Sequence, residues 1–324
     1  MTLTLALTCG EPAGVGAEVA LKALRGGLPA GVEPVLVGPR GVWETAAGLL
    51  EPGVDLSPWR IREPGPPDLC TDPDWGWGRP TARSGRLAAA SVELAARMAL
   101  AGEVDALVTA PLTKEGLQAA GRPFPGHTEL LAGLCGPGHR PLMLLAGPRL
   151  RVFLVTTHLP LARVPGQVTR EVVVATLEAA HRGLEGDLGV PRPRLAVCGL
   201  NPHGGEGGLL GGEERDVIAP AVAEARGRGI RAEGPFPADS LFHRAAEGAF
   251  DGVVAMYHDQ GLVALKLLHF WDAVNVTLGL PLVRTSPDHG TAFDLAGRGA
   301  ARPDSFREAV RWAADIARRR RVAP

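Results

Sequence analysis

The sequence predicts an α/β fold built on mostly parallel strands. Its first apolar run, residues 2–8, is rich in β-forming side chains and stops at a glycine-rich stretch, residues 10–16, before a helical pattern begins. The same order of apolar run, turn and helical pattern recurs along the chain. Strands that alternate with helices in this way are typical of βαβ units, which join parallel strands.

The individual elements follow from hydrophobic periodicity and from the turn residues at their ends. Strands are predicted at residues 2–8, 33–37, 105–109, 141–145, 150–156, 195–199, 252–256 and 273–278. Helices are predicted at residues 17–24, 87–101, 169–182, 213–228 and 304–320. Residues 51–84 are rich in Pro, Gly, Asp and Trp and show no period, so we expect a long surface excursion there.

Composition excludes several classes of protein. The chain has 34 basic and 35 acidic residues, a formal net charge of -1, which gives no electrostatic reason to expect a nucleic-acid or membrane partner. No apolar stretch approaches the roughly 20 residues of a membrane span. Four cysteines, Cys9, Cys70, Cys135 and Cys198, form no C-x-x-C pair, and no basic leader precedes the first strand. We therefore expect a cytoplasmic protein without disulfides.

Three histidines directly follow apolar β-like runs. LRVFLVTTH ends at His158, RLAVCGLNPH at His203 and DGVVAMYH at His258. Because parallel strands place their carboxyl ends on one edge of a sheet, we expect these imidazoles on the same rim. Three neutral imidazoles suit a borderline divalent cation and leave one position open for substrate. Asp239 and Asp259 lie near this rim in the chain and are candidates to orient an imidazole or to transfer a proton.

Other polar residues are candidates for binding an anion or a cofactor. His127 and Thr128 follow a proline-rich turn, and Lys266, Asn275 and Arg284 stand beside apolar strand-like runs. These types donate hydrogen bonds to phosphate or carboxylate, although an ion pair is an alternative for Arg284. The chain has no G-x-G-x-x-G after a strand and no phosphate-binding G-x-x-x-x-G-K motif, which disfavours a standard Rossmann dehydrogenase and a P-loop enzyme. Residues 288–299 are dense in small residues, which let a backbone approach a flat ligand closely.

The length of 324 residues predicts two compact domains or one large one, since a domain usually has roughly 100–200 residues, and we expect two. The first is expected to combine both chain ends, residues 1–130 plus 275–324, and the second to comprise residues 131–274. We expect each to be an α/β/α layer structure. Because the candidate anion and cofactor residues come from both regions, we expect the active cleft between the two domains.

Several long strings resemble the 4-hydroxythreonine-4-phosphate dehydrogenases of pyridoxal phosphate synthesis. They are GEPAGVGAE at 10–18, TAPLTKEGL at 109–117, FPGHTELLA at 124–132, THLPL at 157–161, GLNPHGGEGG at 199–208, PADSLF at 237–242, YHDQGLVALK at 257–266 and the run from 274 to 299. Their order is that of the family, and the resemblance runs nearly end to end. The block at 288–299 is also similar to the cofactor loop of isocitrate and isopropylmalate dehydrogenases, whose fold the resemblance implies.

The resemblance implies a role for each candidate residue. His158, His203 and His258 match divalent-metal ligands (Zn, Mg or Co), one of them, His258, expected across a homodimer interface formed by the middle domain. The positions that match substrate-binding residues are His127, Thr128, Lys266, Asn275 and Arg284. We expect His289, Gly290, Ala292 and Asp294 of the 288–299 block to bind NAD or NADP. Lys266 and Asp239 are the candidate catalytic residues, and Lys266 could either neutralise the substrate's carboxylate or phosphate or transfer a proton.

The implied reaction is oxidation of 4-phosphohydroxy-L-threonine at C3 with NAD(P), followed by decarboxylation to 3-amino-2-oxopropyl phosphate. A related dehydrogenase of 4-phospho-D-threonate or of a phosphoerythronate-like acid is the main alternative, since the same apparatus serves it. A metal-dependent hydrolase is a second alternative, although the helical glutamate motif of such enzymes, H-E-x-x-H, is absent. A phosphate acyltransferase and a non-catalytic binding protein are further alternatives that give no reason for three strand-end histidines.

Overall fold

The computed structural model describes residues 2–65, 75–122, 124 and 126–322. Its strands are β1 (Leu3–Thr8), β2 (Val32–Val37), β3 (Arg60–Arg62), β4 (Ala106–Val108), β5 (Leu142–Ala146), β6 (Arg151–Leu154), β7 (Arg194–Cys198), β8 (Arg231–Phe236), β9 (Gly252–Ala255), β10 (Val274–Leu278) and β11 (Arg284–Pro287). Its helices are α1 (Gly16–Arg25), α2 (Arg40–Gly48), α3 (Ala82–Leu100), α4 (Lys114–Ala119), α5 (His127–Cys135), α6 (Arg170–Arg182), α7 (Ala219–Gly227), α8 (Ala238–Ala246), α9 (His258–His269) and α10 (Asp304–Val322). No helix in these ranges is both long and apolar enough to cross a membrane.

The chain divides into two compact units, each of which we describe by itself. The first unit comprises residues 1–141 and 280–318, and the second comprises residues 142–279 and 319–324. The predicted domain limits, 1–130 plus 275–324 and 131–274, stay a prediction, as does the predicted cleft between the domains.

The first unit has a parallel sheet. Its strand order is β3-β2-β1-β4-β11, and every adjacent pair is parallel. Alternate side chains of these strands, such as Ala6, Val35 and Leu107, pack against apolar residues of α3, α4 and α5. The final helix α10 is tied to β11 by a 2.7 Å hydrogen bond from the Thr285 hydroxyl to the Ala309 carbonyl. Parallel strands whose faces are covered by helices account for the nearly continuous apolar character of β1 and β4.

The second unit has a mixed sheet of order β10-β5-β6-β9-β7-β8. β6, β9, β7 and β8 are mutually parallel, whereas β5 runs antiparallel to both β10 and β6. One face of this sheet packs against α8 and α9, and α6 contacts β5, β6 and β9. The predicted α/β class with mostly parallel strands is confirmed.

Three neighbouring strands position the predicted metal ligands. β9 lies between β6 and β7 and is parallel to both. His158, His258 and His203 follow β6, β9 and β7, respectively, within a few residues. Their strands therefore end on one edge of the sheet, as the sequence predicted.

The prediction of a surface excursion at residues 51–84 agrees with the mostly exposed irregular backbone of its described part and is wrong at three places. Residues 60–62 form β3, which pairs in parallel with β2. The Trp75 side chain is buried, and α3 begins at Ala82 with Thr81 as its cap. Residues 66–74, Cys70 among them, lie outside the described ranges. Strand β3 was not predicted because a strand of three residues is too short to show a hydrophobic period, and the residues around it are of types common in turns.

Candidate active site

Two of the three predicted metal ligands are neighbours within one chain. The His158 and His258 ring centroids lie 5.7 Å apart with the ring planes inclined by 44°. His258 is the first residue of α9, and its Nδ1 lies 2.6 Å from Asp259 Oδ1. With the carboxylate accepting the Nδ1 proton, the Nε2 lone pair of His258 is left for a metal. Two adjacent imidazoles have the donor chemistry of ligands to a divalent cation.

The third histidine lies in an unusual turn. His203 has φ 52° and ψ 23°, and the four residues after it, 204–207, also have positive φ values. Its side chain is exposed. In the described part of the chain, no group of three His, Cys, Asp or Glu side chains is arranged to hold a metal ion. A single chain therefore brings His158 and His258 together but does not complete a three-ligand site with His203.

Helix α9 carries a predicted catalytic residue as well as a metal ligand. Lys266 lies about two turns after His258, with its Nζ 5.8 Å from the Phe270 ring centroid. The sequence analysis did not predict this helix, although its buried residues Leu262, Leu265 and His269 recur at helical spacing. Such a pattern is a recognisable signal of a helix.

The other two predicted site residues of the second unit lie on separate elements. Asn275 is half-buried in β10, opposite Leu145 of β5. Asp239 is exposed in the first turn of α8, where its Oδ1 accepts a 2.9 Å hydrogen bond from the Ser240 amide. Asp239 thus stands at a helix N-terminus, where the partial positive charge of the backbone favours a carboxylate.

A buried cation marks the candidate anion site in the first unit. Arg284, in β11, is only 2% exposed, and its Nε donates a 3.0 Å hydrogen bond to the Thr109 hydroxyl. Burial lowers the pKa of Arg284 to about 9, and the nearby Glu129 carboxylate opposes that shift. A guanidinium held out of water in this way is strongly attracted to an incoming anion, because the surroundings screen its charge poorly.

His127 and Thr128 begin helix α5 close to this cation. The His127 Nε2 atom is buried and has no hydrogen-bond partner among the described residues. Burial lowers the pKa of His127 well below its ordinary value, the Arg284 charge adds to the effect, and a hydrogen bond with the Ala110 backbone opposes it. Amide groups of a helix N-terminus, a buried guanidinium and an imidazole are donors of the kind that bind a phosphate or carboxylate group.

The predicted cofactor block lies against the N-terminal glycine loop. The Thr291 carbonyl accepts a 3.1 Å hydrogen bond from the Val15 amide, and a Cβ at Gly14 would stand 2.8 Å from that same carbonyl oxygen. Ala292 has φ 44°, a left-handed conformation rare for a residue with a side chain. The His289 Nδ1 atom lies 2.9 Å from the Gly290 carbonyl. With Asp294 exposed, these residues form an irregular turn that is open to solvent in part.

Sequence reasoning missed the residues that anchor this block. The Lys22 ammonium donates 2.7 Å hydrogen bonds to the carbonyls of Gly299 and Ala301, and a third to Glu18. The Glu18 carboxylate also accepts the Ala301 amide at 2.8 Å. Both side chains come from α1. The only available signal was the rarity of lysine, of which the chain has three against 31 arginines.

Comparisons with known proteins agree with this architecture. The family model described as "Pyridoxal phosphate biosynthetic protein PdxA" matches residues 31–313. A 4-hydroxythreonine-4-phosphate dehydrogenase of Caulobacter vibrioides is 46% identical over 328 residues, covering 98% of each chain. The crystal structure of a 4-hydroxythreonine-4-phosphate dehydrogenase from Klebsiella pneumoniae matches with a TM-score of 0.84 at 40% identity, over 98% of each chain.

Another similar solved structure is a dehydrogenase that acts on a different substrate from the relatives above. It is a terephthalate 1,2-cis-dihydrodiol dehydrogenase from Burkholderia xenovorans, which matches with a TM-score of 0.65 at 30% identity over 97% of this chain and 98% of that one. The family model and the relatives described above nonetheless match nearly the whole sequence. The chain therefore belongs to the PdxA family of pyridoxal phosphate biosynthetic proteins.

Proposed function

We propose that the protein oxidises the C3 hydroxyl of 4-phosphohydroxy-L-threonine with a nicotinamide cofactor and then releases CO₂, as a 4-hydroxythreonine-4-phosphate dehydrogenase of pyridoxal phosphate synthesis. The observation that carries the proposal is the nearly full-length match to dehydrogenases of that name. In the reaction, C3 transfers hydride to NAD(P)⁺ and the hydroxyl loses its proton. The β-keto acid then breaks its C1–C2 bond, and a proton added at C2 gives 3-amino-2-oxopropyl phosphate.

The substrate phosphate is assigned to the anion site of the first unit. Arg284 supplies a buried guanidinium, and His127 and Thr128 supply donors at the start of α5. A phosphate dianion beside the imidazole raises the pKa of His127, which therefore takes up a proton as the substrate binds. Two cationic side chains then face the dianion. This site accounts for a preference for phosphorylated substrates.

The metal site is assigned to His158 and His258 of one chain and His203 of a second copy. His158 and His258 are already adjacent, and Asp259 orients His258. This assignment differs from the expectation that His258 is the ligand from the partner, which no observation tests; we favour it because the ring contact joins His258 to His158 within the same chain. When bound, a divalent cation would act as a Lewis acid at the C3 oxygen, stabilising the negative charge that develops there.

A second copy of the chain is the partner that this assignment requires. Val263 and Leu267 lie one turn apart on α9 and are 69% and 86% exposed. Phe270 and Trp271 follow at the end of the helix and are also exposed. Exposed apolar side chains grouped in this way are typical of a protein interface. We assign them to a homodimer contact, since the helix that carries them also carries His258.

Lys266 and Asp239 are assigned to proton transfer, and Asn275 to substrate binding. Lys266, on the same helix as His258, is assigned to deliver the proton to C2 after CO₂ leaves. Asp239 is assigned to take up the proton of the C3 hydroxyl. NAD or NADP is assigned to the 288–299 block through His289, Gly290, Ala292 and Asp294, where small residues allow close approach of the cofactor. A cytoplasmic location stays a prediction.

Nicotinamide absorbance tests the proposal directly. The purified protein is given 4-phosphohydroxy-L-threonine, 4-phospho-D-threonate or unphosphorylated 4-hydroxy-L-threonine with NAD⁺ or NADP⁺, each with and without a chelator. We expect chelator-sensitive reduction and CO₂ release with the first compound. Faster turnover of 4-phospho-D-threonate would contradict the substrate assignment, and reaction without nicotinamide would support the hydrolase alternative.

A further inference from the structure

The turn that carries His203 has a left-handed backbone, including at two residues that are not glycines. Six consecutive residues, 203–208, have positive φ values, and two of them, His203 and Glu206, are not glycines. Left-handed backbone is unfavourable for residues with a Cβ and persists only where surrounding contacts impose it. Side chains that contact the residues leading into this turn are therefore candidates to hold it in place.

Glu214 supplies the first of these contacts. Its side chain is 5% exposed, and its Oε1 accepts hydrogen bonds from the amides of Leu200 and Asn201 at 2.6 and 2.7 Å. Its Oε2 accepts the Asn201 Nδ2 at 3.0 Å. The carboxylate therefore fixes the residues that lead directly into the His203 turn. Hydrogen bonds to a buried carboxylate are stronger than bonds between neutral groups.

Glycines allow the Glu214 carboxylate to reach this position. A Cβ at Gly199 would lie 3.0 Å from Glu214 Oε1, and a Cβ at Gly205 would lie 2.6 Å from Oε2. Gly205 also has φ 79°. The carboxylate thus occupies the concave side of the turn, between the end of β7 and the left-handed residues.

Gln260 connects the same segment to the strand end that carries His258. Its Nε2 donates a 2.7 Å hydrogen bond to the Gly199 carbonyl, and its Oε1 accepts a 2.7 Å hydrogen bond from the Met256 amide. Gly199 follows β7 and Met256 follows β9, which is the neighbouring parallel strand. A single amide side chain therefore bridges the two strand ends, with one hydrogen bond to each.

We propose that Gln260 and Glu214 are positioning residues that fix the placement of His203 relative to His258 and so set the affinity of the metal sites. The inference rests on the proposed function, because it takes both histidines as metal ligands. In the proposed dimer the two histidines of one chain serve different sites. The Gln260 bridge then links a ligand of one site to a ligand of the other.

Gln260→Leu tests the bridge, because leucine keeps much of the side-chain volume and removes both hydrogen bonds. Glu214→Gln tests the carboxylate without leaving a cavity. Gln167→Leu, at an exposed position of the same unit, is the matched control. Each full-length protein is stripped of metal and titrated with Co²⁺ in the absence of substrate, with the visible absorption of Co²⁺ as the measure of binding. Thermal unfolding of the metal-free proteins is measured in parallel.

Removal of groups that orient metal ligands typically lowers metal affinity about 10–100-fold. We expect a decrease of that size for Gln260→Leu and Glu214→Gln, a lowered kcat with unchanged KM for NAD(P), and no change for Gln167→Leu. If both variants bind Co²⁺ as tightly as the unchanged protein, the two residues are only structural and the inference is wrong. If Co²⁺ added to the unchanged protein gives no absorption band that depends on the three histidines, the metal assignment in the proposed function is wrong. The positioning role is then wrong as well, because it requires that metal site.

Discussion

Replacement of Arg284 by methionine is expected to stabilise the ligand-free protein while removing its affinity for phosphate. The side chain is 2% exposed, and burial lowers its pKa to about 9. Relative to the ordinary value for arginine, this fall corresponds to about 5 kcal/mol of free energy, since each pKa unit is about 1.4 kcal/mol. That free energy disfavours the charged form in the folded protein at neutral pH.

The direction in which stability changes with pH follows from how many protons the folded and unfolded states bind. Between the folded pKa of about 9 and the higher unfolded pKa, the unfolded chain binds more protons, so stability rises with pH across that window. Below the folded pKa, Arg284 is charged in both states, and the full free-energy cost of burying that charge destabilises the folded protein. Methionine removes this cost but also removes the hydrogen bond to the Thr109 hydroxyl. Replacing a buried charge by an apolar side chain of similar volume is often stabilising by about 1–4 kcal/mol, and we expect a gain in the free energy of unfolding within that range.

The assay is thermal or denaturant unfolding in phosphate-free buffer and with added inorganic phosphate. Phosphate that binds only the folded state raises the midpoint of the unchanged protein. We expect no such increase for Arg284→Met, and we expect Arg140→Met, at an exposed position of the same unit, to behave like the unchanged protein. A variant less stable than the unchanged protein without phosphate, or equally stabilised by phosphate, would refute this reasoning.

Three further predictions follow from the site. Burial lowers the pKa of His127 in the ligand-free protein, so we expect the imidazole to take up a proton when the substrate binds near neutral pH. Calorimetry should then give a binding heat that varies with the ionisation heat of the buffer, and His127→Asn should remove this variation. A heat that does not depend on the buffer in the unchanged protein would contradict this role. Lys22→Met removes the hydrogen bonds to Gly299 and Ala301, so kinetics should show a raised KM for NAD(P) with little change in KM for the substrate. Leu267→Glu places a charge on an 86% exposed apolar position, and light scattering should show a monomer without turnover; an unchanged active dimer would exclude this face from the interface.

The strand-end histidines were predictable because their signal is local. An apolar run followed by a histidine can be recognised in any single segment, and the parallel order of β6, β9 and β7 then brings the ends together. Family resemblance supplied the roles of these residues, since the run-and-histidine pattern alone does not distinguish a metal ligand from a structural histidine.

Contacts between distant segments could not be predicted in this way. Lys22 lies 277 residues from Gly299, whose carbonyl it binds, and no periodic pattern records such a pair. The burial of Arg284 depends on the pairing of β11 with β4, two short strands with weak local signals. The glycines around His203 indicated a turn but not its contacts, because the Glu214 carboxylate that accepts hydrogen bonds from the amides of Leu200 and Asn201 comes from another element. Tertiary contacts therefore determine the features of the site that the sequence left open.

Complementation between inactive variants tests the shared metal site most directly. His158→Ala, His203→Ala and His258→Ala homodimers are each expected to be inactive. Mixing and reassembling His158→Ala with His203→Ala should restore nicotinamide reduction, because the hybrid dimer contains one complete set of three imidazoles. Mixing His158→Ala with His258→Ala should restore none, because both ligands come from the same chain. Activity in the second mixture, or its absence in the first, would contradict the proposed arrangement.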